Sequence, residues 1–304
     1  MKYSHHSSDS ATNLKTKLQE YQARFETALD TLLPSTQTRP ARLHQAMRYT
    51  MESGGKRLRP ALLIAAAELV PGRSDPLPAA VAVECLHTYT LTHDDLPCMD
   101  DGELRRGKPS CHRQFDEATA VLAGDALNTF AFYVLARHYR DDPALATALI
   151  EDLAFASGSE RLIGGQMEDI EAERSGEGEA EKVDYIHRNK TAALLTASLT
   201  MGGRLSAAGP AQIEKLARIG GHLGSAYQIV DDILDATGDT GTLGKTAGAD
   251  QAANKATYVS QFGLEASRNE VRRRTGDAAE ECRGLEGDAT FLVELTRSLE
   301  HRIH

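Results

Sequence analysis

An all-α fold is what this sequence predicts, and three observations carry the prediction. Apolar residues recur at steps of three and four from Leu14 almost to residue 280. No segment shows the strict alternation of a half-buried strand. Gly and Pro mark the breaks between the apolar stripes, where helices should stop.

Residues 1 to about 12 are polar, rich in Ser and His, and read as a disordered tail, leaving 13–304 as one domain. Leu14, Leu18, Tyr21, Phe25, Leu29 and Leu32 then form one helical face that ends before Pro34. Similar stripes cover 41–53, 60–70, 77–96, 117–138, 143–163, 181–203, 210–236 and 255–280. Gly54-Gly55 and Pro60 bracket a basic stretch, Pro71-Gly72 and Pro76 mark a loop, and 174–178 is a polar connection. Residues 236–254 carry no periodicity, and a loop of that length inside a compact domain is usually functional. No fixed repeat or shift in composition divides the chain, so a single helical domain is expected.

With 34 basic and 44 acidic residues among 304, the formal net charge is -10. That excludes a general binder of nucleic acid or anionic membranes, which needs a dominant positive field. The four cysteines, Cys85, Cys98, Cys111 and Cys282, have no C-x-x-C spacing and read as small hydrophobes in a reducing compartment. The amino-terminal residues lack the apolar core of a secretory signal, and no uninterrupted apolar run approaches the ~18 residues of a membrane span. A cytoplasmic protein is expected.

Two acidic clusters sit on helices. In HDDLPCMDD, residues 93–101, His87 and Asp94 are seven positions apart and so lie within about 20° on one helical face. Pro97 distorts the turn, which brings Asp100 back near Asp94. Acids at a helix C-terminus oppose its dipole and call for a compensating cation. In QIVDDILD, residues 228–235, Gln228, Asp231, Asp232 and Asp235 fall within an arc of about 100°. Leu223, Tyr227, Val230, Ile233 and Leu234 are left as the core-facing stripe. Carboxylates gathered this way repel unless a cation joins them, and hard oxygen donors with water in the remaining positions suit magnesium.

Basic segments are distributed between these clusters: Lys56, Arg57 and Arg59 in GGKRLRP, Arg105, Arg106 and Lys108 in LRRGKP, then Lys190, Lys245 and Lys255. Together they predict a cavity for two phosphorylated ligands, one held through metal and one through Arg, Lys and His. GDTGTLGKT looks like a phosphate-binding P-loop, but Asp239 stands where that motif requires Gly and no strand precedes it.

The motifs DDLPCMD and DDILD, with GGKRLRP, LRRGKP, NKTAAL and LGKTAGADQ, resemble the trans-isoprenyl diphosphate synthases, most of all their bacterial farnesyl diphosphate synthase branch. The resemblance runs from roughly residue 15 to residue 265. It implies helices around a deep cavity, a homodimer, and two diphosphate substrates, isopentenyl and allylic. It implies that Asp94 and Asp100 hold two magnesium ions and Asp231 a third, with Asp95, Asp232 and Asp235 in support. Arg105, Lys190, Thr191, Gln228, Lys245 and Lys255 match the grip on the allylic diphosphate. Lys56, Arg59, His87 and Arg106 match the isopentenyl diphosphate site. Tyr89 and Thr90, five and four positions before Asp94, match the floor that limits chain length, and a Tyr there implies a fifteen-carbon product. Gln166 and Asp169 fall on a helix matching one that lines the cavity, and Tyr227 stands where the family commonly has Phe. A terpene cyclase would have no use for the second diphosphate site, and an inactive subunit would have lost acids from one motif.

Overall fold

The structure, a computed structural model, describes residues 6–70, 74–175, 180–238 and 257–303. Helices α1 (His6–Leu32), α2 (Ala41–Met51), α3 (Leu58–Ala67) and α4 (Leu77–Asp94) come first. A short ribbon of β1 (Leu104–Arg105) and β2 (Lys108–Pro109) leads into α5 (Cys111–Gln114), α6 (Glu117–His138) and α7 (Pro143–Ser157). Next are α8 (Leu162–Ser175), α9 (Ala180–Ile186), a π-helical turn (His187–Thr191) and α10 (Ala192–Leu205). They are followed by α11 (Pro210–Thr237), α12 (Tyr258–Phe262), α13 (Leu264–Arg283), α14 (Thr290–Ser298) and a 3-10 turn (Glu300–Ile303).

The centre is built from α3, α4 and α10. Every residue from Pro60 to Ala67 and from Pro78 to Leu86 is buried, as is nearly all of α10. A helix that is apolar on all sides can only be stable inside. The amphipathic helices α1, α2, α6, α7, α11, α13 and α14 wrap this centre. α10 and α11 approach closely because Gly224 and Gly220 face α10. A Cβ at Gly224 would lie 2.3 Å from Ala192 Cα, and one at Gly220 would lie 2.5 Å from Thr196 Cα. Two starts are fixed by caps: Asp116 accepts from the Thr119 N–H, and Asp142, followed by Pro143, accepts from the Leu145 N–H.

The structure departs from the sequence reading in several places. α1 begins at His6, so half of the expected tail is helical; Ser, Asp and Thr cost a helix only a few tenths of a kcal/mol each, about 0.5. The stripe 143–163 is two elements, divided after Ser157, and 255–280 is divided at Gly263, whose φ of +80° ends α12. The ribbon leaves no mark in the sequence, since two residues per strand are too few to alternate. Its loop, Arg106-Gly107, has φ of +55° and +77°, the mark of a tight hairpin turn. α14 lies beyond the last of the expected stripes, and its Phe291, Leu292 and Leu295 are buried. Among the described residues α6 alone is long and apolar enough to cross a bilayer. Its Ala123, Leu127, Ala131, Val134 and Leu135 are instead buried in the core.

Candidate active site

A cavity of about 910 Å³ opens among α3, α4, α8, the π-helical turn, α10 and α11. It is lined by Lys56, Arg59, His87, Tyr89, Thr90, Asp94, Arg105, Arg106, Lys190, Thr191, Gln228 and Asp231. Twelve of the residues singled out in the sequence thus meet at one place. Lys245 and Lys255 lie outside the described residues.

At the first acidic cluster, α4 ends at Asp94 and the chain folds back, so that the Asp100 N–H donates to the Asp94 carbonyl at 2.9 Å. Burial, together with the carboxylates of Asp100 and Asp95, pushes the Asp94 carboxyl up to about 6, against the pull of Lys190 and Arg105. Asp100 is exposed beside it. Asp95 faces away from the cavity. It is buried and accepts two hydrogen bonds from Arg105, Nη2 at 2.5 Å and Nε at 3.1 Å. The second aspartate therefore anchors Arg105, and the ribbon that carries it, beside the first.

At the second cluster only Asp231 and Gln228 reach the cavity. Asp232 and Asp235 are buried, contrary to the single polar face expected for all four residues. The expected arc spans the boundary between cavity and protein, and Asp232 finds partners inside. It accepts from the Tyr258 N–H at 2.7 Å and from Gln228 Nε2 at 3.1 Å, with His187 Nε2 3.5 Å away. Tyr227, expected in the core stripe, lines the cavity instead.

The π-helical turn carries Lys190 and Thr191. Its wider coil brings Lys190 Nζ within 2.6 Å of Asp169 and lets the Thr191 hydroxyl donate to Gln228 Oε1 at 2.8 Å. α8 presses close to this turn: a Cβ on Gly165 would lie 2.5 Å from the Lys190 nitrogen. Of the two α8 residues singled out in the sequence, Asp169 thus holds Lys190, while Gln166 lines the cavity.

The basic side is a group of arginines around His87. Burial and the neighbouring Arg59, Arg106, Arg105 and Arg57 hold the imidazole well below its usual pKa, so it is neutral at pH 7. Burial also lowers the pKa of Arg59 and Arg106, with Glu84 opposing that shift. Cations gathered under such strain form a site for an anion. Arg57, grouped with the ligand-binding cations in the sequence, is a brace. It is buried at φ +47° and bonds to Glu26 at 2.7 Å, Glu84 at 3.0 Å and the Met51 carbonyl at 2.6 Å. Arg106 is tied to the Gly54 carbonyl. Arg57, Asp101 and Arg106 are three of the four non-glycine residues with positive φ among the described residues. Backbone strain is thus concentrated at this site.

The rest of the wall is apolar, formed by Leu162, Ile163, Met167, Ile170 and Leu195. Tyr89 is half-buried and stands edge-on to His93, 5.0 Å between centroids, while His93 is bonded to the Val121 carbonyl. Among the described residues no three His, Cys, Asp or Glu side chains converge into a metal cage. Magnesium does not need one, since it is commonly held by one or two carboxylates together with substrate phosphates and water. Asp94 at the end of α4 and Asp231 on α11, lining one cavity with cations suited to diphosphate, meet that requirement.

A sequence profile of the family described as polyprenyl synthetase matches residues 40–290. A farnesyl diphosphate synthase of Geobacillus stearothermophilus is 39% identical over 295 residues, covering 94% of this chain and 97% of that one. The heterodimeric geranylgeranyl pyrophosphate synthase large subunit 1 of Arabidopsis thaliana, a chloroplastic protein, is 45% identical over 282 residues, covering 90% and 76%. Among solved structures, an FPP/GFPP synthase from Zymomonas mobilis superposes with a TM-score of 0.84 at 34% identity, covering 95% and 99%. The Helicobacter pylori geranyltransferase complexed with magnesium and isoprenyl diphosphate gives 0.78 at 33% identity, covering 94% and 96%.

Proposed function

The chain belongs to the polyprenyl synthetase family of trans-prenyltransferases, and on that premise we propose that it makes mainly farnesyl diphosphate. It would condense isopentenyl diphosphate head-to-tail with dimethylallyl or geranyl diphosphate. The observation that carries this reading is the meeting, in one cavity, of two unlike halves: Asp94, Asp231 and Lys190 on one side, Lys56, Arg59, His87 and Arg106 on the other.

Magnesium, when bound, supplies the positive charge that lets the allylic diphosphate leave. Asp94, Asp100 and Asp231 would hold it, with Asp95, Asp232 and Asp235 fixing the surrounding side chains. Lys190 and Arg105, with Lys245 and Lys255, grip the allylic diphosphate, while Thr191 and Gln228 orient one another beside it. Lys56, Arg59 and Arg106 hold the second diphosphate. His87, being neutral, serves as a hydrogen-bonding group there. The apolar wall excludes water from the allylic cation until the isopentenyl double bond attacks. The proton then lost passes to the departed diphosphate, so no protein nucleophile is required.

Tyr89 supports the fifteen-carbon product, because it lines the cavity about one and a half helical turns before Asp94, where a bulky ring would stop a growing chain. Tyr89→Ala should shift the product toward twenty carbons or more, read by mass; an unchanged chain length would remove the floor assignment. A geranylgeranyl diphosphate synthase is the second reading. Its specific support is that Ile163 and Met167, 46% and 50% exposed, leave the apolar wall open on the α8 side. The reading includes a homodimer: α6 presents Leu122 and Tyr133 to solvent, an apolar strip of the kind a second copy covers.

The test of the reaction is pyrophosphate release by the purified protein. Release should require magnesium and both substrates. Release from the allylic diphosphate alone would indicate a cyclase, and no release from folded protein would indicate an inactive subunit.

A further inference from the structure

The 3-10 turn Glu300–Ile303 packs against α11 and α13, beside the second acidic cluster. Its Arg302 guanidinium lies 5.3 Å from the centre of the Tyr227 ring, and Nη2 is 3.9 Å from Asp231 Oδ1. The turn is pinned from the other side, where the buried Thr275 of α13 donates its hydroxyl hydrogen to Glu300 Oε1 at 2.6 Å. Arg302 is only 20% exposed, and both of its partners line the cavity. Neither the basic segments nor the two acidic motifs point to it in the sequence.

Resting on the functional reading above, we propose that Arg302 is a positioning residue of the active site. It is a counter-ion to Asp231 before magnesium binds, and it gives Asp231 up when metal and diphosphate arrive. Three observations support this. Asp231 adjoins Asp232 and Asp235, whose carboxylates are buried, so a cation beside it lowers their mutual repulsion while metal is absent. At 3.9 Å the pair is looser than a direct charge-assisted hydrogen bond, which makes it easy to exchange. The stack on Tyr227 gives Arg302 a second attachment that does not depend on Asp231. The guanidinium thus stays beside the cavity once Asp231 has taken a metal, its donors free for an incoming anion.

The test is the midpoint of magnesium-dependent thermal stabilisation, measured without substrate and again with inorganic pyrophosphate, for the full chain and its Arg302→Gln and Arg302→Lys variants. Arg302→Gln should bind magnesium alone about fivefold more tightly, in line with a part-exposed ion pair. Arg302→Lys should stay near the parent chain. A merely structural role would lower the melting temperature of both variants and leave their magnesium midpoints equal to the parent's; that result, or weaker magnesium binding by Arg302→Gln, would overturn the proposal. If magnesium with pyrophosphate stabilises neither parent nor variants, the functional reading itself fails and the proposal falls with it.

Discussion

Asp94→Asn is expected to remove catalysis and, at pH 7 without metal, to make the protein more stable. Loss of an electrostatic group acting on the departing charge typically costs about a hundred- to a thousandfold in turnover. The gain in stability follows from burial. A carboxyl raised from 3.8 to about 6 is destabilised by roughly 3 kcal/mol when ionised, an upper figure for this half-buried group. Because the folded protein holds this proton more tightly than the unfolded chain, metal-free stability falls as pH rises from about 4 through about 6, and the deficit persists at pH 7. Asparagine cannot ionise. The variant should therefore melt a few degrees higher at pH 7 and match the parent near pH 4. Thermal melts at both pH values in a chelator check this, and a variant that melts lower than the parent at pH 7 would contradict it. The same ionisation predicts that protons compete with magnesium at Asp94 below about pH 6.

Glu84→Ala should produce the largest loss of stability of any single change near the cavity. Glu84 is 2% exposed and pairs at 3.0 Å with Arg57, which is 1% exposed. Removing it leaves a buried guanidinium with only Glu26, itself 46% exposed, and the Met51 carbonyl. Breaking a buried pair in this way costs about 3–5 kcal/mol. Glu84 is also the acid that opposes the strain on Arg59 and Arg106, so an added diphosphate should recover part of the loss. Thermal melts of Glu84→Ala and Glu84→Gln, with and without isopentenyl diphosphate, measure both effects. A Glu84→Ala protein melting within a degree of the parent would show that Arg57 is not held by this pair.

Helix α6 was legible to the residue because Asp116 caps it and Tyr139 follows its last apolar turn. Asp94, His87 and Asp231 were legible because helical spacing fixes which residues share a face, and all three line the cavity. Asp95 and Asp232 show where spacing stops being informative. Each is adjacent to a cavity-facing aspartate, yet each is turned inward by a partner that spacing does not reveal: Arg105 on a ribbon too short to see, and the Tyr258 N–H, 26 positions further along the chain. The π-helical turn was hidden because its five residues, HRNKT, are all polar and lie inside one apolar stripe that joins Ile186 of α9 to Ala192 of α10. Arg302 was hidden because its contacts to Tyr227 and Asp231 depend on how α13 and α14 fold back along α11.

On the proposed reading this cavity joins two diphosphate substrates carbon to carbon, and Tyr89 limits the length of the result. The most direct test is the mass of the product formed by purified protein from isopentenyl diphosphate and geranyl diphosphate with magnesium. A product of mainly fifteen carbons is expected. A product of mainly twenty or more carbons would contradict the role of Tyr89, and the absence of any condensed product from well-folded protein would contradict the claim as a whole.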